Sequence, residues 1–211
     1  MIRMNRALLC LLLLAVPILS AGQSDERVVK PEIRVGDSWT YRSTNVFAPG
    51  THDIENRVSF VDAKVILVVT TSKTDGKEAD SSWTPEWNSV TSHGGLMFRP
   101  NSGLFRFPLR IGDKHQVKYE MLRPRVNTAE SSTTGSVTVV GWETIEVPAG
   151  KFRAIKLELE SIVQPSDGLR AYQRQVTFWY VPDVRRWVKF QGSTPKNRFS
   201  EELLTYKLNE D

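Results

Sequence analysis

"VTVVGWETIEVPAGKFRAIKLELE", residues 137–160, decides the fold, because its centre is open to two readings. The segment "PAGKF" at 148–152 is either a phosphate-cradling loop or the bend between two strands. A phosphate loop needs Gly, four residues, then Gly-Lys and Ser or Thr, leading from a strand into a helix. Gly150-Lys151 supplies the pair, but Ile145 stands at the first glycine position and Phe152 at the hydroxyl position. The bend accounts for every residue. Pro148 presets φ, Ala149 follows in a type I turn, and Gly150 takes a positive φ to close a three-residue hairpin with a bulge. Beyond it Ile155, Leu157, Leu159 and Val163 alternate with Lys156, Glu158 and Glu160, giving one dry and one wet face.

The same period of two recurs over most of the chain, in segments rich in Val, Thr, Ile, Tyr, Phe and Trp. Strands are expected at 37–47, 55–72 with a break near Asp62, 80–87, 95–99, 103–107, 114–122, 134–147, 151–163, 170–181, 184–192 and 199–208. Turn-type punctuation separates them: "APGTHD" at 48–53, "TDGKE" at 74–78, "RPNSG" at 99–103 and "QPSDG" at 164–168. The expected fold is all-β, a single antiparallel sheet curled into a partial barrel or a β-sandwich-like domain, with little helix. "VGDSWTYR" at 35–42 and "IGDKHQVKY" at 111–119 open alike, which points to a pseudo-repeat of 35–100 and 111–208 within one domain.

That domain spans 23–211. Residues 1–22 read as a signal peptide: Arg3 and Arg6 form a basic start, and the apolar run from Ala7 to Leu19 is short for a membrane span. Small residues Ser20, Ala21 and Gly22 follow, with cleavage expected after Gly22 or Ala21. The expected location is periplasmic or secreted, with no integral span in the mature chain. Cys10 is the single cysteine and lies in the signal, so the mature chain has no disulfide, thiolate nucleophile or cysteine metal site. Of 28 Lys and Arg, removing Arg3 and Arg6 leaves 26 against 24 acidic residues, a net of +2. Such a balance leaves no electrostatic footprint for nucleic acid.

"WETIEVPAGKFRAIKLELE", the aromatic strand "TFWYVPDVRRWVKF" at 177–190 and the closing "ELLTYKL" at 202–208 together resemble a family of exported bacterial β-proteins, known as a domain of unknown function. "FPLRIGDKHQVKYE" at 107–120 is similar to that family's upstream strand, with His115 where a Trp is usual. The resemblance covers about residues 104–208. Arg185 departs from it, standing where the family commonly has glycine. The resemblance implies a curled antiparallel sheet, akin in shape to carriers of lipoproteins and lipids, and implies no established reaction.

No catalytic residue emerges. His52, His93 and His115 lack the spacing of a metal pair, so neither a metal nor another cofactor is expected. "SHGG" at 92–95 resembles an oxyanion segment, but the chain has no Gly-x-Ser-x-Gly elbow. Glu158 and Glu160 lie about 7 Å apart on one strand face and read as a solvated pair. The aromatics carry the sharper expectation. Trp83, Trp87, Met97, Phe98 and Phe105, with Ile155, Leu157 and Leu159, are the candidate lining of a concave face that holds an apolar small molecule or lipid. The alternative is an envelope structural or interaction module that meets a protein partner through a surface or strand edge. A hydrolase built from scattered His, Ser and Asp residues ranks third.

Overall fold

The computed structural model describes residues 26–46, 48–123 and 128–210. The expected signal peptide of residues 1–22 lies outside them. The strands are β1 Ser38–Asn45, β2 Ala48–Val61, β3 Ile66–Ser72, β4 Glu78–Trp83, β5 Ser89–Thr91, β6 Met97–Arg99, β7 Lys114–Arg123, β8 Thr128–Val147, β9 Gly150–Pro165, β10 Tyr172–Val181, β11 Arg186–Ser193 and β12 Arg198–Lys207. One 3-10 turn, Pro182–Val184, joins β10 to β11.

Each strand pairs antiparallel with its chain neighbours, and β1 pairs with β12, so the sheet closes into a barrel. The expected antiparallel sheet is present, and its closure is complete rather than partial. Closure pairs every strand on both sides and leaves no strand with a wholly free edge. The wall is uneven. β5 and β6 have three residues each, whereas β8 and β9 have 20 and 16.

The opening hairpin is the tallest part of that wall. Val147 pairs with Gly150, leaving Pro148 and Ala149 as a two-residue turn, one residue tighter than the sequence suggests. Gly150 has φ 134°, a conformation open to glycine, and the Ala149 amide donates to the Leu203 carbonyl, tying the turn to β12. Lys151 is exposed. The turn expected at 48–53 is instead the start of β2, paired with β1, and two expected strand segments differ. Residues 103–107 are irregular chain, and Trp87 lies in a turn with φ 64°.

Inward side chains fill the end of the barrel that carries the 182–185 turn. Trp39, Trp87, Tyr41, Tyr180, Phe105, Ile155, Leu157 and Leu203 are at most 1% exposed, so their neighbours meet them on all sides. The "RVGD" and "RIGD" turns at 34–37 and 110–113 share one backbone pattern. Gly36 donates to Val58, which donates back to Asp37; Gly112 donates to Val139, which donates back to Asp113.

Candidate functional site

Four tryptophans from distant parts of the chain meet at this filled end. Trp87 packs edge-on to Trp39 at 5.6 Å and to Trp83 at 5.8 Å, and Trp83 lies 5.7 Å from Trp187. Their polar edges hold the 182–187 segment. Trp39 Nε1 donates to Val184 O, Trp87 Nε1 to Arg185 O, and the Tyr41 hydroxyl to Trp187 O. Enclosed by these rings is Arg186, 2% exposed, its guanidinium carbon 4.4 Å from the centres of Trp87 and Trp187 and 5.0 Å from Trp39. The rings' negative faces stabilise the cation. Among the described residues its Nε and Nη1 nevertheless have no hydrogen-bond partner, and neither do Trp187 Nε1 and the Tyr180 hydroxyl. Burial lowers the Arg186 pKa, against the fields of Tyr41 and Glu201.

Glu201 is the acid that answers this cation through space. It pairs in register with Phe190 and Ser43 and therefore faces inward. It keeps partial exposure, yet burial pushes its carboxyl up to about 7, with the Arg186 field pulling the other way. Burial also lowers His93, and Arg186 adds to that. His115 is lowered by burial too, offset by its hydrogen bond to Gly103 O at 3.0 Å. Among the described residues no histidine hydrogen-bonds to a carboxylate, and no three His, Cys, Asp or Glu side chains gather as metal ligands.

The sequence-predicted lining divides. Trp87, Phe105, Ile155, Leu157 and Leu159 lie in the core at 2% exposure or less. Trp83 and Phe98 are half-buried against it, and Met97 is 37% exposed. Trp83 and Trp87 touch each other, and Phe98 packs instead on Tyr119 at 5.7 Å. Arg186 and Glu201 are the residues sequence reasoning missed. Arg185-Arg186 looks like an ordinary basic pair, and only a bulge in β11, where Val188 falls between the partners of Trp179 and Tyr180, sets the phase that turns Arg186 inward.

The opposite end of the barrel carries a recess of about 520 Å³ between the β9–β10 and β11–β12 turns. Pro165, Leu169, Ala171, Tyr172 and Pro195 supply its apolar surface. Leu169 is 64% exposed and stands beside the apolar surfaces of Pro165, Ala171, Tyr172 and Pro195 rather than singly. Arg170 and Lys196 stand at the same recess, and no carboxylate lines it. Local chemistry fixes this shape. The Asp167 side chain accepts from the Leu169 amide, Gln164 reaches the Leu169 carbonyl, and Thr194 Oγ1 accepts from Asn197 N. Nothing in the β-alternation marks this site, because it is built from turns.

No family model matches the chain, and no curated protein matches it in sequence. Among solved structures it is similar to "a putative lipoprotein" from Parabacteroides distasonis ATCC 8503, with 11% identity and a TM-score of 0.55 over 86% of this chain and 100% of that one. It is also similar to a "putative exported protein with YmcC-like fold" from Bacteroides fragilis NCTC 9343, at 16% identity and TM-score 0.49 over 85% and 99% of the two chains. The "hypothetical lipoprotein YmcC" from Escherichia coli (K12) follows at 12% identity and TM-score 0.49, over 80% of this chain and 84% of that one. The Parabacteroides likeness is one of fold, in keeping with the curled antiparallel sheet that the resemblance over residues 104–208 implies.

Proposed function

We propose that the protein is a non-enzymatic binding module of the bacterial envelope that takes the acyl chain of an anionic amphiphile at the barrel end formed by residues 165–172 and 194–197. The observation that carries this reading is the recess itself. Its volume of about 520 Å³ lies within the usual range for small-molecule sites. The apolar lining from Leu169, Ala171, Tyr172 and the two prolines suits a hydrocarbon chain. Arg170 and Lys196, with no acid among the lining residues, suit a carboxylate or phosphate head. A signal-type N-terminus supports an envelope location.

The reading keeps the apolar ligand expected from the sequence and moves it. Ile155, Leu157 and Leu159 touch protein rather than open space. A binding face must therefore be sought where apolar surface is left uncovered, as at Leu169. The test is fluorescence titration of residues 23–211 with N-phenyl-1-naphthylamine, followed by displacement with laurate. Dye binding is expected to weaken about tenfold in Leu169→Asp, equivalent to ~1.4 kcal/mol. Lys196→Glu is expected to weaken laurate and spare the uncharged dye. Binding that ignores both substitutions would overturn the assignment.

A further inference from the structure

The outer face of the barrel carries a larger recess of about 700 Å³ over β10, β11, β12 and β1. Thr177, Gln191, Ser200 and Thr44 stand opposite one another on these four strands. At the usual strand spacing of about 4.8 Å their row is about 14 Å long. Gln175 and Ser193 form the next paired row, and Ser193 pairs with Arg198. A second recess, of about 340 Å³, continues across β10, β9, β8 and β7, where Gln175, Glu160, Ser136 and Gln116 are in register. Gln175 lines both recesses, so the two adjoin at that residue along the register rows that cross the strands.

The chemistry of this groove differs from that of the apolar recess. The 700 Å³ part is lined chiefly by hydroxyl and carboxamide side chains, with Arg198 as its one charged residue and no carboxylate. Hydroxyls and carboxamides each donate and accept. The Thr44 and Ser200 hydroxyls bond to each other at 2.8 Å, whereas the side-chain amides of Gln116, Gln175 and Gln191 have no partner among the described residues. A protein partner would call for an apolar, aromatic centre, and a nucleic acid for several cations. A chain of sugar units presents hydroxyls that donate and accept along its whole length, without needing charge.

We infer that this outer groove binds a linear, uncharged glycan, with the carboxamides of Gln175 and Gln191 bonding its hydroxyl groups. The inference is independent of the amphiphile site, since no residue lines both the apolar recess and the groove.

Isothermal titration of residues 23–211 with maltohexaose, cellohexaose and chitohexaose tests it. At least one is expected to bind with a Kd of roughly 1 mM or tighter. The Gln175→Ala, Gln191→Ala double variant, both positions being exposed, is expected to fold with unchanged thermal midpoint and to bind at least about fivefold more weakly. Leu169→Asp is expected to leave glycan binding unchanged. The inference is overturned if none of the three sugars binds at roughly 10 mM, or if the double variant binds as well as the parent.

Discussion

Asp37 is 0% exposed, and its oxygens accept four hydrogen bonds from three donors in three parts of the chain. Arg34 N lies at 3.1 Å, Asn209 N at 2.7 Å, and Arg185 Nη1 at 3.0 and 3.1 Å from the two oxygens. One carboxylate thus joins the chain ahead of β1, the β10–β11 turn and the C-terminal segment. The same contact explains why arginine stands at 185. Its φ of 60° is a glycine-type conformation, so arginine pays about 1 kcal/mol there and recovers it through the Asp37 ion pair. Asp37→Ala is expected to cost about 2–4 kcal/mol, because two part-buried amides and the Arg185 guanidinium lose their acceptor. Arg185→Gly is expected to cost less than half of that. Urea denaturation midpoints compare the two directly.

Glu201 gives a pH dependence with a definite sign. Its carboxyl rises from the ordinary 4.5 to about 7 in the fold, mainly through burial. The folded protein therefore holds this proton more tightly than the unfolded chain does. Its contribution is most favourable below pH 4.5, falls as pH rises, and is lost by about pH 7. Arg186 and Tyr41 are the charged and titratable groups that share its field. Glu201→Gln is expected to flatten the fall in stability between pH 5 and 7, measured by denaturation midpoint at each pH. An undiminished fall would show that Glu201 is not the group responsible. Neither Glu201 nor Arg186 was legible as a site in the sequence, since alternation alone assigns a face but not what meets there.

At the scale of elements, the 137–160 hairpin was legible because its turn residues and its alternation agree. Its neighbourhood shows what alternation omits. A Cβ on Gly135 would lie 2.4 Å from the Glu160 carbonyl oxygen and 2.6 Å from Ser161 Cβ. This is backbone that cannot yield, so β8 and β9 approach more closely there than any side chain allows. A Cβ on Gly192 would meet the Phe199 ring at 2.2 Å, and a ring can swing aside. Gly135→Ala is therefore expected to cost more than ~2 kcal/mol, and more than Gly192→Ala. Equal thermal midpoints for the two variants would contradict this account.

β6 falls within the strand expected at 95–99, whereas β5 is absent from the expected strands for a related reason. β5 has three residues and lies just after Trp87, whose positive φ is held by its ring bond to Arg185 O. Trp87 and Arg185 are the two non-glycine residues with positive φ among the described residues, and they hydrogen-bond to each other. Local pattern read 80–87 as one strand because it cannot register a contact across nearly a hundred residues.

Taken as a whole molecule, the chain divides into six strands before residue 100 and six after it, opened by the matching turns at 34–37 and 110–113. The all-β class, the antiparallel pairing and the inward aromatics follow from residue pattern and were legible. Closure was not, since it depends on β1 meeting β12 across the length of the domain. Nor was the distinction between a filled and an uncovered end. Trp39, Trp83, Trp87, Trp187 and Arg186 fill one end, while Leu169 and Tyr172 face a recess at the other.

Location is thus the central claim, and backbone amide chemical-shift mapping with laurate tests it most directly. Residues 23–211, labelled with nitrogen-15, are titrated while every assigned amide is followed. Saturable shifts are expected to concentrate at 165–172 and 194–197, with the amides of Ile155, Leu157 and Leu159 unmoved. Shifts centred on Ile155, Leu157 and Leu159 instead, or no saturable shift at all, would contradict the claim.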